Sequence, residues 1–110
     1  QGAVVTGFTT SDVVPSHTPA AAALRPMPPE VADHVAAVVL FGTPSGEFLG
    51  RYGAPVITIG PAYADKTLQL CAQGDTICDG APDGGPTVAH ALYPVNGMVN
   101  EGAAYAVGRL

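Results

Sequence analysis

The run VAAVVLF, Val35 to Phe41, is apolar at every one of its seven positions. A strand with one face in water alternates apolar and polar residues, whereas a strand covered on both faces does not need to. An unbroken run of this length points to a strand of a parallel sheet sandwiched between helices. The spacing predicts a short helix from about Pro29 in PPEVADH, followed by a strand over Ala36–Phe41. A membrane-spanning helix needs about 20 apolar residues, so this run cannot supply a transmembrane segment.

The remaining elements follow around that strand. QGAVVTGFTTSDVV sets small and apolar residues at Ala3, Val4, Gly7 and Phe8, the pattern of a helix packed closely on a sheet. PSHTPAAAALRPMPPE carries five prolines and reads as a surface connection with one helical turn. SGEFLGRYGAPVITIGPAYADK shows no sustained period and reads as a long, partly extended loop with VITI as a short strand. TLQLC, Thr67 to Cys71, reads as a further strand, and GMVNEGAAYAVGRL places Met98, Ala103, Ala106 and Val107 at the spacing of a terminal helix. Strands alternating with helices predict an α/β fold. At 110 residues there is room for one modest core and therefore one domain.

Charge narrows the partners. Only 12% of residues are charged, the formal net charge is −5, and the basic residues Arg25, Arg51, Lys66 and Arg109 are scattered. No basic patch exists for nucleic acid and no polybasic segment for an anionic membrane. The chain opens without a basic region followed by an apolar stretch, so no signal peptide is legible at its start.

The two cysteines, Cys71 and Cys78, bound LCAQGDTICDG, with Asp75 between them. They fit a short disulfide or part of a metal site. Zinc calls for a tighter pair and more ligands, and His90 has no second histidine at zinc spacing, so the disulfide is the preferred reading. It would contribute about 2 to 3 kcal/mol and would place the chain in an oxidising, secreted setting.

Asp75 follows a strand read as parallel, and loops beyond the carboxyl ends of such strands gather ligands. His90 comes fifteen residues later in a second loop. Asp followed by His matches the chain order of an α/β-hydrolase triad, in which the carboxylate fixes the imidazole's tautomer and stabilises the imidazolium. Solvated loop residues remain the alternative, since loops commonly carry both types.

The first residues add to this. QGA matches the end of a G-Y-S-Q-G-A nucleophile elbow whose serine would stand immediately before residue 1. With PPEVADHVAAVVLFGTPSG, LCAQGDTICDG, and HALY followed by GMVNEGAAYA, the order and spacing resemble the C-terminal part of the cutinase family, nearest its mycobacterial members. The resemblance runs over nearly the whole chain. It implies that residues 1–110 are the C-terminal part of a single α/β-hydrolase domain with a central parallel sheet between layers of helices. It implies a secreted or envelope serine esterase or lipase acting on lipid-like esters, without a cofactor or metal. It further implies that Asp75 and His90 are the triad acid and base, that Gln1 gives its backbone N–H to the oxyanion hole, and that Cys71 and Cys78 form a disulfide around the aspartate. The partner is then the N-terminal part carrying the serine, because Ser11, Ser16 and Ser45 have no elbow around them. By itself the chain is expected to be inactive. The alternative is a non-catalytic secreted binding or structural module that keeps the fold.

Other residues have plainer readings. His17 is expected to be solvated, and His34 to pack or cap rather than act as a base. Asp79 and Asp83 lack the ligand density of a calcium loop and suit turns. Tyr93 is expected to pack beside the histidine loop without a catalytic role. Phe41, Phe48, Leu49, Tyr52 and Val56 could line an acyl groove or a core, with Phe41 assigned to the core.

Overall fold

The computed structural model describes residues 1–13 and 24–110, so His17 and Ser16 lie outside the described residues. The expected helix at the start forms as α1, Gly2–Thr9, where Gly7 and Phe8 are buried. Gly7 lets the segment 56–59 lie against the helix: a Cβ there would stand 2.5 Å from Ile57 Cγ2. VITI pairs with no strand among the described residues; its half-buried Ile57 lies against α1, and Ile59 packs on the core of Ala32, Val38, Leu40 and Tyr63. That overturns the short strand expected there. Gly60 N–H reaches Thr10 O at 2.9 Å and secures the end of the segment to the end of α1.

Pro29–His34 is a 3₁₀ helix, tightened by the prolines at its start. His34 is the basic residue of its last turn and is exposed to solvent, so of the packing or capping expected it does not pack. Strand β1, Val38–Phe41, starts two residues later than the expected Ala36. Strand β2, Thr67–Leu70, pairs with it in parallel, with Val38 opposite Thr67 and Phe41 opposite Leu70. These two strands are the whole sheet among the described residues.

Both faces of β1 are used, which explains its lack of alternation. Val38 and Leu40 are buried with Ala32 and Tyr63, against Ala3 of α1 and Ile59. Val39 and Phe41 point to the other face and meet α5, Met98–Val107. Gly102 is the buried residue of that helix, and a Cβ there would lie 2.8 Å from Val39 and 2.9 Å from Phe41. The inward stripe is thus Met98, Gly102, Tyr105 and Ala106, whereas Ala103 and Val107 are exposed. The terminal helix is where the spacing put it, turned on its axis so that its glycine contacts the sheet.

Between β1 and β2 the expected loop contains two short helices, α2 (Gly46–Arg51) and α3 (Pro61–Ala64). Ser45 starts α2 by accepting the Phe48 N–H at 3.1 Å. Pro61 opens α3 at a position where its missing N–H is not needed. Glycines at 46 and 50 hide α2 from any propensity argument. Among the described residues no helix is long and apolar enough to cross a membrane.

Candidate active site

Strand β2 delivers the chain into the Cys71–Cys78 loop, which is closed by a disulfide. With its sulfurs bonded to each other, the cluster Cys71, Asp75 and Cys78 has no thiolate to offer a metal. Inside the loop Asp75 N–H bonds Ala72 O at 2.9 Å, Gly74 takes a positive φ of 84°, and Asp79 N–H returns to Asp75 O at 3.2 Å. Thr76 Oγ1 ties this loop to the approach to His90 by donating to Gly85 O and accepting its N–H. Asp79 accepts the Ala81 N–H at 2.9 Å, the turn role expected of it.

The loop encloses Asp75, whose side chain is 0% exposed. Its Oδ2 lies 2.9 Å from His90 Nδ1, and its Oδ1 accepts the Ile77 N–H at 3.1 Å. Tyr93 donates its hydroxyl to the same Oδ2 at 2.6 Å. Burial by itself pushes the carboxyl up. The hydroxyl of Tyr93, His90 Nδ1 and the Ile77 N–H outweigh it and hold Asp75 below its ordinary value. Asp75 is therefore a buried, ionised acceptor with every oxygen occupied.

His90 belongs to a one-turn helix, α4, Val88–Ala91, rather than to the open loop the sequence suggests. Its side chain is 37% exposed while its partner is fully buried. With Nδ1 engaged by a carboxylate, Nε2 is the nitrogen left to exchange a proton. His90 lines a groove of about 860 Å³ walled mainly by apolar side chains, including Phe8, Phe41, Phe48, Leu49, Tyr52 and Ile77. Gln1, which stands at the start of α1, lines the same groove.

The site residues read from the sequence thus divide as follows. Asp75 and His90 are in direct contact, the two cysteines bracket Asp75, and Gln1 shares the groove with His90. Phe41 is half-buried and faces the groove, not the core alone, and Val56 lies outside the groove at 60% exposure. The serines that are described are otherwise engaged: Ser11 donates to the carbonyls of Phe8 and Val13, and Ser45 caps α2. Tyr93 packs beside His90 as expected, its ring edge-on at 6.3 Å between centroids. Its place three residues after His90 was the available signal, but only the fold reveals that its hydroxyl points back at Asp75.

A family model described as cutinase matches residues 1–110. The chain is 62% identical over 110 residues to "Probable carboxylesterase Culp7" of Mycobacterium tuberculosis, covering 100% of this chain and 57% of the relative. To "Probable carboxylesterase Culp5" of the same organism it is 56% identical, covering 100% of this chain and 61% of the relative. It is also 37% identical to "Phospholipase Culp4", again over 100% of this chain and over 43% of that protein. The chain therefore spans only about three-fifths of the length of the first two relatives. No solved structure gives a significant match.

Proposed function

The chain belongs to the cutinase family, and from that premise we propose that it forms the C-terminal part of a secreted or envelope serine ester hydrolase. The observation that carries this reading is the 2.9 Å contact between a wholly buried carboxylate and a half-exposed imidazole at the rim of an apolar groove. In the complete protein the two strands join a larger parallel sheet in the three-layer α/β-hydrolase arrangement. The nucleophile is a serine in the segment preceding Gln1.

Each group then has one task. The serine oxygen attacks the ester carbonyl while its proton passes to Nε2 of His90. Asp75 holds the neutral imidazole with its proton on Nδ1 and stabilises the imidazolium formed on transfer. The Gln1 backbone N–H donates to the developing oxyanion, and losing one such donor typically costs ~10²–10³ in rate. Collapse expels the alcohol, which takes the proton from His90, and water then releases the acid from the acyl-enzyme by the same route in reverse.

The substrate class follows from the groove. Its walls of Phe48, Leu49, Tyr52 and Ile77 suit an aliphatic chain and offer no charged residue for a polar one. Lipid-like acyl esters are the substrates, in keeping with relatives named as carboxylesterases and a phospholipase. The disulfide supports an oxidising compartment. The test is intact mass of the longer protein after exposure to a fluorophosphonate. An adduct on a serine upstream of Gln1, lost in His90→Ala, is expected. A longer protein that takes no adduct and cleaves no ester would overturn the reading in favour of a non-catalytic module.

A further inference from the structure

Resting on that reading, we propose that Tyr93 is a positioning residue: its hydroxyl fixes the orientation and charge of Asp75, and through it the proton on His90 Nδ1. The evidence begins with one oxygen atom. Oδ2 of Asp75 receives both Tyr93 Oη at 2.6 Å and His90 Nδ1 at 2.9 Å. Two donors on one oxygen compete, because each draws on the same negative charge. The strength of the bond to His90 is therefore set in part by Tyr93.

The direction of the hydroxyl proton is fixed by the neighbours. Tyr93 Oη accepts the Ala72 N–H at 3.0 Å, so its own hydrogen is free to point elsewhere. An ionised carboxylate can only accept, so the hydrogen lies toward Oδ2. Burial, followed by Asp75's bond and charge, pushes the phenol up to about 12, with the Ala72 N–H acting in the opposite sense. The hydroxyl accordingly stays a donor throughout the range in which an esterase works.

The ring is packed on several sides. Tyr93 is 7% exposed. Phe41 meets it edge-on at 5.8 Å between centroids, and His90 does so at 6.3 Å. Oη is 3.5 Å from Cys78 Sγ, so one phenol touches the start of the cysteine loop, its end and the carboxylate between them.

The experiment uses the longer protein with its upstream serine and reads two quantities. One is kcat and KM on a soluble p-nitrophenyl ester. The other is the downfield proton resonance of His90 Nδ1–H. In Tyr93→Phe, kcat falls by about 10- to 100-fold because the carboxylate loses one of the bonds that aim it at the imidazole, while KM stays within about twofold. The resonance moves further downfield, because Oδ2 now serves the imidazole alone. Replacing Tyr93 with 3-fluorotyrosine keeps the ring and strengthens the donor, and it moves the resonance upfield. This second variant decides the matter if the phenylalanine variant does not fold. An unmoved resonance in the folded variants, with kcat retained, overturns the proposal and leaves Tyr93 a packing residue. A wild-type protein that shows the resonance but cleaves no ester overturns the proposed function instead, and the two resonance shifts still decide whether Tyr93 controls the pair.

Discussion

Gly42 must be glycine for two independent reasons. Its φ is +61°, where a side chain costs roughly 1–2 kcal/mol. A Cβ there would also stand 3.0 Å from Asp75 Oδ2, 3.0 Å from His90 Cε1 and 3.1 Å from Tyr93 Cε2. We expect Gly42→Ala in the longer protein to lose about 1–2 kcal/mol of stability and to lower kcat more than KM, read from denaturant midpoints and steady-state rates. Retention of full kcat would show that the Asp75–His90 contact tolerates displacement. Asp75 has its own signature in acid. Its folded value lies below the ordinary 3.8, so the stability it contributes is complete above that value and is lost as pH falls through the lower, folded one. Asp75→Asn removes this dependence, and denaturant midpoints between about pH 5 and pH 2 should fall less steeply in the variant than in the parent. In activity the same substitution should cost about 10⁴-fold in kcat, since an amide can hold the wrong imidazole tautomer.

Among the elements, α5 and the cysteine loop carry the most weight. Gly102 lets α5 approach β1 closely enough to press on Val39 and Phe41, and Phe41 in turn braces Tyr93. Gly102→Val should cost about 2 kcal/mol or more, because overpacking against Val39 and Phe41 outweighs the small gain in helix propensity over glycine. An unchanged melting curve would mean that the helix can shift outward. Replacing both cysteines by alanine should lower stability by about 2.5 kcal/mol on the chain-entropy model. Because Asp75 N–H remains bonded to Ala72 O, the loop keeps part of its turn without the bridge. The strand β1 was legible in the sequence because its apolar run is unbroken, and the existence of α5, though not its inward face, because small and apolar residues recur there near helical spacing. The helices α2 and α3 were not, because their glycines and prolines speak for turns and only capping and contact with neighbouring layers make them helical.

At the scale of the whole molecule, two parallel strands are a small sheet. Each has an edge with no strand beside it among the described residues, and the groove opens a wall of aromatic and aliphatic side chains to solvent. Isolated two-stranded sheets are marginal in water. We expect the 110 residues expressed alone to bind a hydrophobic dye, to unfold over a broad range and to take no fluorophosphonate. The longer protein should unfold sharply and be labelled. A sharp, dye-free transition for the short chain would show that this half is a self-sufficient folding unit.

The unbroken run ending at Phe41 determined by itself that a strand would be covered on both faces, because no alternation leaves a polar side for water. The order Asp75 then His90, with cysteines around the first, likewise lay in the sequence as a candidate pair. What the tertiary structure decided is everything that depends on separation in space rather than along the chain. It turned α5 until Gly102 faced the sheet, and it brought His90 to Asp75 across fifteen residues. It also aimed the Tyr93 hydroxyl at the oxygen those two share. Periodicity reports which face of an element avoids water; it carries no information on where a buried proton will point, which is settled only when packing leaves it a single acceptor.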